Sequence, residues 1–224
     1  MLSFLTSTVG KKYLMGLSGL IWTGFVFAHM AGNMLMFVSP DAYNTYGHNL
    51  VSGKLIYFVE GLLILALITH VVLAINLTME NRRSRQSRYA MLGGREKGSR
   101  WASRTMAIHG TVILIFLVSH LITFKFGAYY ETTVDGVVMR DLFRLMIEIF
   151  TQPLYLGWYL VSLILLGFHL SHGVGSVFQS FGLLHPAYQS MIKTVSWVYA
   201  IVVVLGFLSQ PIAVFLFYNS GGQA

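Results

Sequence analysis

Five long apolar stretches, at roughly 13–38, 55–79, 105–127, 154–178 and 192–217, constrain this 224-residue chain more than any other feature. Each can supply the ~20 residues with which a helix crosses a hydrocarbon core. Strand alternation is absent, and backbone facing lipid must satisfy its own hydrogen bonds, so the stretches are expected to be helices. Only 10% of the residues are charged, where a soluble domain of this length carries about 25%. The expected fold class is an all-α integral membrane protein with five transmembrane helices, forming one transmembrane domain over 1–224. Nothing is long enough for a separate soluble domain, so any chemistry on a water-soluble substrate belongs to another subunit. The first stretch does not read as a cleaved signal peptide: its apolar part is too long and it carries His29 and Asn33. Cysteine is absent, which excludes disulfides, thiolate metal sites, iron–sulfur ligation and cysteine nucleophiles.

The formal charge of +7 is distributed as a topology signal. Lys11, Lys12, Arg82, Arg83, Arg85, Arg88, Arg95, Lys97, Arg100, Arg104 and Lys193 account for 11 of the 15 basic residues, all on one side of the five spans. Lys54, Lys125, Arg140 and Arg144 share the other side with Asp41, Glu131, Asp135, Asp141 and Glu148. The positive-inside rule then puts the N-terminus in the cytoplasm and the C-terminus outside. The basic run at 80–104 reads as a topology signal near anionic lipid, or as a dock for a soluble partner, and the two can coexist. Nucleic acid is not the partner, since aromatic interleaving and base-reading elements are missing. Residues 39–53 and 128–153 read as outer loops rich in turn formers and tyrosine.

Six of the eight histidines, His29, His70, His109, His120, His169 and His172, lie inside the apolar stretches. An ionisable side chain in that setting costs at least a few kcal/mol unless paired or ligated. His29 is nine residues before the outer end of helix one, and His120 seven before that of helix three. His70 and His169 are each nine residues before the inner ends of helices two and four. With helices reversing direction in turn, His29 and His120 share an outer layer and His70 and His169 an inner one, each roughly 10–14 Å from a helix end. Two histidines facing at one depth clamp a haem iron on both axial faces, and two layers mean two haems. The competing reading is hydrogen-bonded packing histidines. Small residues such as Gly16, Gly19, Gly110 and Gly167 leave room between helices, though glycine also serves close packing there.

His109 is eleven residues before His120, where it either approaches haem propionates or a proton path, or simply packs. His172 lies one turn from His169, and spacing alone does not choose between them. His48 and His185 fall in loops and read as solvated or interfacial side chains. Met30, Met34 and Met36 read as packing.

The stretch GFHLSHGVGSVFQSFG at 167–182, with FVFAHMAGN, ITHVVLAINLTMEN, IFLVSHL and the loop DAYNTYGH, resembles the cytochrome b subunit of dihaem succinate:quinone oxidoreductases, the b558 type. The resemblance covers nearly the whole chain; His109, where the family is expected to have another residue, departs from it. It implies haem ligation by His29 and His120 at the outer haem b and by His70 and His169 at the inner one, with His172 beside the ligand. It further implies a bacterial cytoplasmic membrane, electron transfer without covalent chemistry here, and a flavoprotein with covalent FAD that oxidises succinate. An iron–sulfur subunit would hand electrons through the inner and then the outer haem to a quinone, typically menaquinone. Glu60, just inside the outer end of helix two, matches a position near the family's outer quinone site and otherwise reads as a helix-end carboxylate. Ser18, with Lys11 and Lys12, resembles the start of related anchors with an inner quinone site, or else caps or packs. Arg104 and Lys12 are candidates to neutralise inner haem propionates.

Two other classes compete. One is the cytochrome b of a hydrogenase or formate dehydrogenase, or a transmembrane ferric reductase, all of which use paired histidines. The other is a haem-free transporter with a histidine relay, which predicts a polar stripe and discontinuous helices. Only scattered Ser, Thr and Asn, and one proline well inside a stretch (Pro211), answer to it.

Overall fold

A computed structural model describes residues 7–83, 97–183 and 185–219, the side chains of 81, 82 and 97–104 excepted. The basic segment 84–96, with Arg85, Arg88 and Arg95, therefore lies outside the described residues, as do the side chains of Arg82, Lys97, Arg100 and Arg104.

Five helices are long and apolar enough to cross a membrane, within Thr8–Phe37, Leu55–Glu80, Thr105–Lys125, Pro153–Ser180 and Pro186–Tyr218. They are α1 (Thr8–Asn33, continued by a 3-10 turn Met34–Phe37), α3 (Leu55–Arg83), α4 (Lys97–His120, continued by a π turn Leu121–Lys125), α6 (Pro153–Ser180) and α7 (Gln189–Tyr218). α1, α4 and α7 begin earlier than the apolar stretches, and in α1 capping chemistry, which hydropathy does not count, sets the first turn. The Ser7 hydroxyl accepts from the Gly10 amide at 3.1 Å and moves the start of α1 back to Thr8. Pro153 opens α6 at a position where its missing N–H costs nothing.

The two segments expected as outer loops are largely ordered elements. Residues Pro40–Ser52 form α2, with Ser39 accepting from the Ala42 amide at 3.0 Å and Pro40 in the first turn. Glu131–Val134 (β1) and Val137–Arg140 (β2) pair antiparallel, Glu131 opposite Arg140. Asp135 and Gly136 turn the hairpin with φ of 51° and 80°; both central residues have positive φ, as the type I′ turn demands and Asp-Gly tolerates best. Asp141 then caps α5 (Leu142–Phe150) by accepting from the Arg144 amide at 3.0 Å. The helix is amphipathic: Phe143, Leu145, Met146, Ile149 and Phe150 are buried while Arg144 and Glu148 are exposed.

The described chain forms two compact units, and α1, α3, α4, α6 and α7 each contribute to both. The first draws on Met1–Phe25, Glu60–Thr111 and Phe168–Ala200. In it Lys11 and Glu80 form an ion pair, the Tyr199 hydroxyl donates to the Thr23 carbonyl at 2.6 Å, and Tyr13 packs on Phe181 with centroids 5.4 Å apart.

The second unit draws on Val26–Val59, Val112–Gly167 and Ile201–Ala224. Its core joins the buried face of α5 to Met36, Tyr159 and Val214. Buried Asn44 pins α2 to α5: its amide donates to Asp141 Oδ1 at 2.9 Å, and its carbonyl oxygen accepts from the Phe143 amide at 3.0 Å. Close helix approaches depend on glycine here. A Cβ on Gly167 would lie 2.7 Å from a Val204 methyl, and one on Gly32 would collide with the Tyr46 ring.

Candidate functional site: two histidine pairs

Each unit holds one pair of facing imidazoles, drawn from different helices. In the first, His70 of α3 and His169 of α6 have ring centroids 6.3 Å apart, planes inclined at 59°. In the second, His29 of α1 and His120 of α4 are 5.9 Å apart at 81°.

These spacings fit a metal between the rings. A metal–imidazole bond of about 2 Å on each side, plus about 1.2 Å from nitrogen to centroid, separates the centroids by about 6 Å. A porphyrin brings its own nitrogen donors, so a haem iron would need only two ligands from the chain, which His70 with His169, and His29 with His120, would supply. Among the described residues no group of three or more His, Cys, Asp or Glu side chains forms a metal site; a pair is the largest set on offer, and for haem it is sufficient.

The surroundings differ between the pairs. In the first, Ser18 Oγ lies 3.2 Å from His70 Nδ1, while its own proton goes to the Met15 carbonyl at 3.0 Å. Gly19 and Gly110 border the rings: a Cβ there would be 3.5 Å from His70 Cε1 and 3.7 Å from His169 Cε1, in van der Waals contact. His169 Nδ1 is buried with no hydrogen-bond partner among the described residues.

In the second pair His120 Nδ1 lies 3.1 Å from the Tyr159 hydroxyl, and Phe116 and Phe124 sit 5.8 and 5.3 Å from its ring. Phe207 lies 5.9 Å from His29, whose Nε2 accepts a long 3.4 Å contact from Asn33 Nδ2. Asn33 Oδ1 in turn accepts from the Tyr43 hydroxyl at 3.5 Å. His120 is the last α-helical residue of α4 before its backbone switches to the π turn, a local rearrangement that recurs at functional sites.

The other candidates are scattered. His109 is buried and stacks on Phe168 at 6.0 Å and 29°. His172 is half-buried one turn beyond His169, its carbonyl accepting from Ser176 at 2.9 Å. Lys12 is exposed in the second turn of α1 and Ser18 is buried. Glu60 is half-buried early in α3. His48 is half-buried on α2, and exposed His185 accepts from the Ala187 amide at 3.2 Å to cap a short turn.

The sequence reading missed Tyr159. Its signal was a phenol inside an apolar stretch, since a buried tyrosine hydroxyl seeks a partner.

No protein-family model, curated protein or solved structure matches the chain.

Proposed function

We propose that this chain is the haem b-bearing membrane anchor of a succinate:quinone oxidoreductase in a bacterial cytoplasmic membrane, its N-terminus in the cytoplasm. Each histidine pair binds one haem, and the chain conveys electrons from an iron–sulfur subunit to a quinone, menaquinone in the dihaem type. Succinate oxidation, with its covalent FAD, belongs to a flavoprotein partner on the cytoplasmic face. The observation that carries the reading is the spacing of the two pairs, 6.3 and 5.9 Å between centroids, each drawn from two helices.

When bound, haem supplies reversible one-electron transfer. The chain's own residues bind, orient and insulate it. His70 is held through Nδ1 by Ser18, and His120 through Nδ1 by Tyr159. Contacts to the far nitrogen fix ring orientation and ligand basicity. Phe116, Phe124 and Phe207 line the second pair with apolar surface, which keeps water from the histidines. Glu60, a carboxyl early in a membrane-spanning helix, is the proposed proton carrier for the quinone.

The test is a reduced-minus-oxidised spectrum of the purified complex with pyridine haemochrome quantification. Two low-spin b haems per chain are expected. One haem would remove a pair from the reading. None in a folded preparation would overturn it and leave the histidine-relay transporter.

A further inference from the structure

We infer that Ser18 is the positioning residue of the first pair: it fixes His70 as the Nδ1–H tautomer and makes its ligation unlike that of His169. The inference rests on the haem reading above and assigns Ser18 a task other than quinone binding.

A hydroxyl has one proton. That of Ser18 is directed at the Met15 carbonyl, 3.0 Å away, which can only accept. The contact of 3.2 Å to His70 Nδ1 therefore runs the other way, with the ring N–H donating to Ser18 Oγ, and the Met15 carbonyl, which also interacts with His70, backs the same tautomer. A neutral imidazole carries one N–H, so the lone pair sits on Nε2, the tautomer an Nε2-ligating histidine requires. Ser18 is 3% exposed, so water does not replace it. An acceptor on Nδ1–H pushes the ring toward imidazolate character, strengthens its donation to iron and favours the oxidised metal. His169 Nδ1 has no such acceptor among the described residues. One ligand of the pair is thus held and basic, the other not. Ser18 sits one helical turn after Met15, so the backbone carbonyl that orients its hydroxyl comes from the same helix.

The experiment uses the purified holo-complex with S18A and S18T. The unsubstituted protein is quantified for haem first, so absence of haem there overturns the proposed function and is distinguishable from failure of this inference. The haem lost in H70A identifies the first-pair signals. S18A is expected to shift that haem's midpoint to more positive potential and to alter its low-spin g values, leaving the second haem unchanged. S18T, which keeps the acceptor, is expected to stay close to the unsubstituted protein. Loss of the first-pair haem in S18A with retention in S18T also supports the inference. Unchanged potentials and g values in S18A overturn it, as do equal effects of S18A and S18T. A raised KM for quinone with unchanged potentials in S18A overturns it in favour of a quinone contact.

Discussion

Asn44 and Asp141, 97 positions apart in the chain, are joined by a hydrogen bond of 2.9 Å. Asn44 is 2% exposed and uses both ends of its amide, the second on the Phe143 backbone. Asn44→Ala is therefore expected to strand two buried partners and to destabilise the second unit by about 2–3 kcal/mol. Asn44→Asp loses the donor and brings a second carboxylate to Asp141, and is expected to cost at least as much. Detergent-solubilised thermal unfolding, with limited proteolysis of the 39–53 segment, measures both.

The histidine pairs predict which single substitutions share a phenotype. His29→Ala and His120→Ala should each lower haem from two to one per chain and leave the same residual spectrum. His70→Ala and His169→Ala should leave the other. His109, stacked on Phe168, and His172 should each tolerate alanine with both haems retained. Two different residual spectra within one pair would show that its members do not share an iron.

How much of this was readable in advance varies with the physics of each element. Long apolar runs without strand alternation report helices because each such helix satisfies its own backbone in lipid, and all five long apolar helices were visible. The starts of α3 and α6 fall at or within one residue of their apolar runs, whereas α1 opens at Thr8, five residues before its run, because Ser7 caps it. The hairpin had a strong local sign in Val134-Asp135-Gly136-Val137, yet its strands are only four residues each and its neighbourhood reads as loop. The pairing of His70 with His169, and of His29 with His120, was legible from depth alone. What holds them was not: Tyr159 meets His120 across 39 positions and Ser18 meets His70 across 52. Such contacts depend on the rotation of each helix about its axis, which depth does not report.

Gly167 marks a helix approach that side chains would block. A Cβ there would lie 2.7 Å from Val204 Cγ2, a branched side chain with little freedom to yield. Gly167→Ala gains about 1 kcal/mol of helix propensity and loses about 1–3 kcal/mol to overpacking. The net effect expected is a modest destabilisation. In the double variant with Val204→Ala the clash disappears and the propensity gain surfaces, so the double should be more stable than the sum of the singles. A double-mutant cycle from unfolding midpoints measures the coupling, and additive effects would show that α6 and α7 give way without cost.

Tyr43 gives the second unit a pH dependence outside the membrane spans. Burial pushes its phenol up from 10.0 to about 12, its ring lies 6.5 Å from Phe143, and its hydroxyl donates to Asn33. The folded protein thus holds the Tyr43 proton more tightly than the unfolded chain does. Its contribution is complete below pH 10, falls as pH rises through the window to about 12, and is gone above it. The slope in that window approaches about 1.4 kcal/mol per pH unit for this one group. Lysines and other tyrosines titrate nearby, so the measurement is the difference between the unsubstituted protein and Tyr43→Phe. Stability is followed from pH 9 to 12 by chemical unfolding in detergent. Tyr43→Phe is expected to lose less stability across the window, with the two curves converging toward high pH; parallel curves would mean that the Tyr43 hydroxyl reaches water in the folded protein.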